Sequence, residues 1–319
     1  MIFELALLCL VIGPSLGQLA PNLKVRYDFS IDAINNTAFI EMPLYECHAL
    51  TKGWKKVNRP IGPTGLQSLN LWCPENDRTV CLLYDKTKYV AGLQIAIQKD
   101  AFSDVEFDWK TQGYSNWTTD INGTTVDYYT LTQYYVSKES LEQQLPRNTS
   151  LVLQNGAIWV SSFNGDLYKI STNASDFIEP AGIFTKQNCI QWMGTHYYYN
   201  MSAATECKAD SFFPWFPLVY GDQLIGIGYN LFAVHVSGRG PVNWFEYSGD
   251  TAVQYTVPNG PQCLYDLSSR VGQITLHTYF IDAPYEVNCL AQIPEPENPE
   301  NTILGLPLTD LWTRGLADA

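Results

Sequence analysis

The sequence predicts an all-β protein: an antiparallel β-sandwich of jelly-roll type, built as two packed β domains with disulfides and an extended C-terminal tail. Three observations point there. Tyr, Trp, Phe, Thr, Val and Ile are frequent while stretches of helical period are few. Two Asn-Gly pairs, Asn155-Gly156 and Asn164-Gly165, punctuate LVLQNGAIWVSSFNGDLYKIS. Both are hairpin-turn pairs, because their positions need the positive φ that Asn and Gly tolerate. Cysteines are dispersed, with none of the close pairs that hold zinc.

Along the chain, the Asn-Gly turns join strands near 151–153, 157–160 and 167–170 into a meander. FSDVEFDWK alternates Val105, Phe107 and Trp109 with Asp104, Glu106 and Asp108, the pattern of a half-buried strand. TTVDYYTLTQYYV reads as a further strand. SKESLEQQLP then gives one short helix ended by Pro146. CLLYDKTKYVAGLQIAI and FPLVYGDQLIGIGYNLF share an aromatic strand, a turn and an apolar strand, with Gly92 in one and Gly226 and Gly228 in the other. This likeness points to a β domain over 18–175 and another over 176–291, although two unrelated hairpins would look the same. Residues 292–319 are rich in Pro, Glu and Asn at first, which suits an extended or disordered tail.

The first 17 residues carry an apolar run, Leu5 to Ile12, a Pro14 break, and Ser15 and Gly17 at the small-residue positions of a cleavage site. They are expected to be a signal peptide. Six N-x-S/T sequons, at Asn35, Asn116, Asn122, Asn148, Asn173 and Asn200, lie in polar or turn-like stretches and fit a glycosylated surface. Seven cysteines remain after Cys9 leaves with the leader. Short loops suggest Cys73 with Cys81, Cys189 with Cys207, and Cys263 with Cys289. Cys47 is then the spare, able to displace Cys73 or Cys81, or to make a covalent dimer. The expected place of action is secreted and extracellular.

The formal charge of −13 comes without a Lys/Arg cluster, so nucleic acid and anionic membranes are poor partners. No stretch reads as a membrane span: the most apolar, residues 212–236, is cut by Pro214, Pro217 and Gly221-Asp222. Acidity chiefly favours solubility.

Common catalytic patterns are missing: no G-x-S-x-G, H-E-x-x-H, P-loop or G-x-G-x-x-G occurs. The four histidines, His48, His196, His235 and His277, are far apart in sequence. A metal site would have to assemble across the fold, with His196 its first member, and none is expected; nor is any cofactor. The paired β domains of a secreted disulfide protein are similar in layout to the ascorbate-dependent copper monooxygenases, which use paired jelly rolls. That resemblance implies adjacent histidines in one domain and an H-x-H with a methionine in the other, and this sequence has neither histidine pattern.

A carboxylate hydrolase needs two acids across a cleft, which no spacing defines. Glu246 sits among aromatics in NWFEYSG, where a solvent-facing strand position beside Trp244 is expected. Aromatics make up 13% of the chain. Exposed rings stack on sugars or anchor protein interfaces, whereas β cores consume the same residues. Candidate ligand contacts are Trp192, His196, Tyr198, Trp215 and Trp244, with Tyr197 and Tyr199 on the opposite face of the same strand. The sequence therefore favours a glycosylated binding protein with an extracellular protein or glycan ligand. A metal-dependent enzyme or a carboxylate hydrolase is the alternative.

Overall fold

A computed structural model describes residues 17–26, 38–60, 66, 68–102, 107–233 and 242–289. Residues 1–16 of the expected signal peptide, the expected tail at 292–319, Asn35, Asp104, Val105, Glu106 and His235 lie outside the described residues. In chain order the elements are β1 (Leu19–Arg26), β2 (Phe39–Glu41), α1 (Glu46–Thr51), β3 (Lys55–Val57), β4 (Asn70–Cys73), β5 (Val80–Tyr84), β6 (Val90–Gln98), β7 (Ser115–Ile121), β8 (Thr124–Tyr134) and α2 (Lys138–Glu142). They continue as β9 (Ala157–Ser161), β10 (Leu167–Ser171), β11 (Phe184–Ile190), β12 (Gly194–Tyr199), β13 (Trp215–Tyr220), β14 (Gln223–Phe232), β15 (Glu246–Ser248), α3 (Asp250–Thr256), α4 (Gln262–Val271) and β16 (Gln273–Ile281).

The strands form two antiparallel sheets of eight. Sheet I runs β3-β4-β5-β6-β8-β9-β10, with β7 also on β8. Sheet II runs β11-β12-β13-β14-β16-β1-β2, with β15 also on β16. The protein is an all-β sandwich. Strands β1 and β2 come from the first half of the chain but complete sheet II, so a division at residue 175 separates the sheets only for β3 to β16.

One apolar cluster is shared by both sheets, including Leu82, Leu93, Ile95 and Val160 of sheet I and Val25, Ile227, Leu276 and Phe280 of sheet II. Alternation explains it. In β6 the residues Leu93, Ile95 and Ile97 face sheet II; in β16 the residues Ile274, Leu276 and Phe280 face sheet I. Polar bonds pin the layers together inside this core. Trp215 Nε1 donates to Ser161 O at 2.8 Å, and the Tyr114 and Tyr229 hydroxyls meet at 2.8 Å.

The two sheets repeat one pairing scheme strand for strand. Gly92 pairs with Tyr134 and Leu83; Gly226 pairs with Tyr279 and Leu218. A bulge follows Leu83 in one hairpin and Leu218 in the other. A Cβ at Gly92 would lie 2.5 Å from Gln133 O, and one at Gly226 would lie 2.5 Å from Thr278 O, so both glycines permit the same close backbone approach. Gln133 and Thr278, themselves equivalent, bond to each other across the sandwich at 3.1 Å. Equivalent Tyr135 and Phe280 pack edge to face at 5.4 Å. The faint likeness of the two hairpins in sequence thus coincides with a twofold-like repeat, closed in sheet II by the N-terminal strands.

Several local expectations need correction. Residues 107–114 form no strand. Asp108 instead accepts from Thr111 Oγ1 at 2.7 Å and from the Lys110 and Thr111 amides, which curls the chain into a turn. Residues 151–153 are likewise not a strand, because the Gln154 amide bonds to Asn148 O and Leu151 O and holds a loop. Asn164-Gly165 does sit in the β9–β10 connection at positive φ. The helix at 138–142 forms, capped by Ser137.

Of the disulfides, Cys73–Cys81 is as expected, but the others pair Cys189 with Cys289 and Cys207 with Cys263. The shortest loop loses to sheet order. The chain after β16 returns beside β11, where Trp192 N donates to Val287 O and Cys289 N to Gln191 Oε1. Cys207 meets α4 instead. Cys47 is free and exposed on α1.

Candidate functional site

The strand pairings decide which side chains can meet on the outer face of sheet II. β12 alternates, so His196 and Tyr198 point outward while Tyr197 and Tyr199 turn into the aromatic packing around Phe177, Phe184 and Phe213. β16 alternates too, sending Gln273, Thr275, His277 and Tyr279 outward. Arg26 of β1 pairs with His277 on one side, and Gly228 of β14 on the other. Glu246 of β15 pairs with Thr275. Together these bring Arg26, His196, Glu246 and His277 to one place.

The cluster is buried: His196 is 1% exposed, Glu246 2% and His277 2%. Arg26 Nε lies 3.0 Å from Glu246 Oε1, and His277 Nδ1 lies 3.1 Å from Glu246 Oε2. Thr275 Oγ1 donates to the same carboxylate at 3.4 Å. The His196 and His277 rings meet edge to face at 5.9 Å. Phe216 stacks on His196 at 5.3 Å and abuts His277 at 5.4 Å. It fits there because Gly228 has no Cβ, which would fall 2.0 Å from the Phe216 ring. Tyr198 stacks on the far side of Phe216 at 4.9 Å.

Burial depresses the His196 imidazole to about 3, with neighbouring His277 and Arg26 pushing the same way. The nearby Gly194 and Asn188 backbone carbonyls pull the other way, and the neutral ring can donate to one of them. At neutral pH it is therefore an uncharged ring in an apolar stack. Burial also raises the Tyr198 and Tyr279 hydroxyls well above their ordinary range.

The structure separates the candidate contacts. His196 and Tyr198 are interior. Trp215 is fully buried in the shared core. Trp244 is buried with its Nε1 donating to Asp77 Oδ2 at 2.6 Å, which ties the approach to β15 onto sheet I. These rings are used in packing and present no face to an outside ligand. Trp192 is half-buried at φ 64 in the β11–β12 turn. Glu246, expected to face solvent, is instead interior, because its side of β15 lies on the face that holds Arg26; its neighbour Tyr247 takes the solvent side.

Sequence reasoning passed over Arg26 and the meeting of His277 with His196. The alternation in QITLHTYFI places His277 with three polar neighbours, but only the strand order shows that this polar face is covered. It also passed over the exposed rings, Tyr247 at 52% and Tyr255 at 45%, on β15 and α3.

Among the described residues no group of three or more His, Cys, Asp or Glu is arranged to hold a metal ion. Asn116, Asn122, Asn148, Asn173 and Asn200 are all exposed. Three disulfides fit an oxidising, extracellular setting, and no described helix is long and apolar enough to cross a membrane. The fold and the cluster define a disulfide-bonded β-sandwich with a closed, charged layer on one sheet. Comparison with protein-family models, with curated proteins and with solved structures finds no match for this chain.

Proposed function

We propose that this is a secreted, N-glycosylated protein that acts by binding an extracellular protein or glycan, without catalysis. The observation that carries the reading is where the chemistry lies. The clustered His196, Glu246 and His277 are buried on the outer face of sheet II, while sequon asparagines and two tyrosine rings occupy the surface. Tyr247 and Tyr255 are the rings able to stack on a sugar or anchor a protein contact. Trp192 is the remaining aromatic of the original candidates with some exposure. Exposed Cys47 offers a route to a covalent dimer.

The test is a glycan-array and interaction screen with the protein secreted from eukaryotic cells, in parallel with the double variant Tyr247→Ala, Tyr255→Ala. Saturable binding that the variant loses supports the reading. Turnover of an extracellular substrate by the purified protein, lost on Glu246→Gln, would replace it with a hydrolase.

A further inference from the structure

The repeat runs along the chain in a different phase from the sheets. Val25 of the β1–β2 hairpin faces Thr278 of β16, and Val160 of the β9–β10 hairpin faces Gln133 of β8. Gln133 and Thr278 are equivalent, so the two hairpins are equivalent too. The chain leaves both hairpins by the same path. Val90 N donates to Leu44 O at 2.8 Å, and Leu224 N to Thr172 O at 2.9 Å. Val90 and Leu224 hold the same place, each just past the bulge of its strand pair. Glu46 N then donates to Lys88 O at 3.0 Å, and Ala174 N to Asp222 O at 2.9 Å. Tyr45 bridges to Tyr89, and Asn173 to Gln223. A helical stretch follows in both, Glu46–Thr51 and Ala174–Asp176. A unit of eight strands therefore occurs twice in order, β1 to β8 and β9 to β16. Each unit gives its hairpin to one sheet and its other six strands to the opposite sheet.

We infer that the chain is a fused twofold dimer of this unit, 19–134 and 157–281, in which each unit's hairpin binds the last strand of the other. The interface is reciprocal, as a twofold contact between subunits is: what β1 does to β16, β9 does to β8. At its middle, equivalent residues touch each other. Gln133 Nε2 donates to Thr278 Oγ1 at 3.1 Å, and Tyr135 packs on Phe280. Among the described residues every disulfide closes on one side of the junction at 135–156: Cys73–Cys81 before it, Cys189–Cys289 and Cys207–Cys263 after it. The junction falls ahead of the division expected at residue 175. The two ladders differ in charge where Arg26 stands for Ser161. On β16, Arg26 meets Glu246. On β8, Ser161 Oγ exchanges two hydrogen bonds of 3.2 Å with the Thr132 backbone, and Ser115 holds the place of Glu246. A first unit paired with its own kind from a second copy of this chain would bury Arg26 against Thr132 and Ser115. A second unit so paired would bury Glu246 against Ser161. A buried charge without its partner is strongly unfavourable, so each unit selects the other over its like.

The test uses the full secreted chain with a specific protease site inserted between Gln143 and Gln144, both exposed in the junction. After cleavage the two pieces should co-elute at the size of the uncut protein. The urea midpoint of the cut protein should fall on dilution, because unfolding now separates two partners, while that of the uncut chain stays fixed. Pieces that part in native buffer, as two self-contained domains would, or a cut protein whose midpoint ignores concentration, would overturn the fused dimer. Hydrogen exchange on the uncut chain tests the reciprocity without the insertion. Val25→Ala should speed exchange over 273–281 about tenfold and leave 124–134 unchanged, and Val160→Ala should do the reverse by a similar factor. No response, a response confined to the variant's own unit, or equal loosening of both strands would overturn it.

Discussion

Replacing Glu246 with Gln removes one charge from a pair whose side chains are both 0% exposed. The isosteric amide keeps the volume, so no cavity confuses the result. Buried Arg26 loses the carboxylate charge at 3.0 Å, and His277 loses it at 3.1 Å. Breaking a buried pair from one side costs about 3–5 kcal/mol. Against a typical total of about 5–15 kcal/mol this is a large fraction, and in a domain of this size it lowers Tm by roughly 6–15 °C. The partner variant Arg26→Met should be costly for the converse reason. Combining the two removes both charges, and the double variant should be more stable than the sum of the singles by several kcal/mol. Urea unfolding followed by tryptophan fluorescence measures all four corners of this cycle. A Glu246→Gln loss below about 1 kcal/mol, or strict additivity of the two changes, would refute the reasoning that the pair is desolvated and coupled.

Further outcomes follow from the same structure. Non-reducing peptide mapping should link the Cys189 peptide to Cys289 and the Cys207 peptide to Cys263, and Cys207→Ser with Cys263→Ser should cost up to about 4 kcal/mol for the loop released. Gly92→Ala and Gly226→Ala should be similarly destabilising, by about 2 kcal/mol or more, since each Cβ would meet a carbonyl at 2.5 Å; urea midpoints check this. His196 is held near 3 in the folded protein against about 6.5 when unfolded, so its contribution is complete above pH 6.5 and is lost as pH falls toward 3. Stability should fall by up to about 1.4 kcal/mol per pH unit over that range from this group, and His196→Leu should flatten the slope.

Much of the architecture is written in local chemistry. The Asn164-Gly165 turn, the strand over TTVDYYTLTQYYV and the short helix in SKESLEQQLP each depend on chemistry within a few residues, so sequence reveals them. In the described part of FSDVEFDWK, residues 107–110, the alternation misleads because one side chain, Asp108, offers the backbone a competing turn. Cys73–Cys81 was legible as a pair, but the other four cysteines only as a set: Cys189 and Cys289 are 100 residues apart and meet only because the chain after β16 returns to β11. The candidate site was half legible. His196 and Tyr198 share a face by simple parity, yet whether that face is wet depends on β15 and on the pairing of Arg26 with His277. Trp215 and Trp244 show the same limit, since a ring reads alike in sequence whether it stacks on a ligand or donates to Ser161 O or Asp77.

The central claim is that the protein works through its surface while His196 and His277 serve the interior. Elemental mass spectrometry of the secreted protein, purified without chelator, tests it most directly. The account predicts no transition metal at stoichiometric level. One ion per chain, lost on His196→Gln, would contradict it and make the His196–His277 pair the centre of a metalloenzyme.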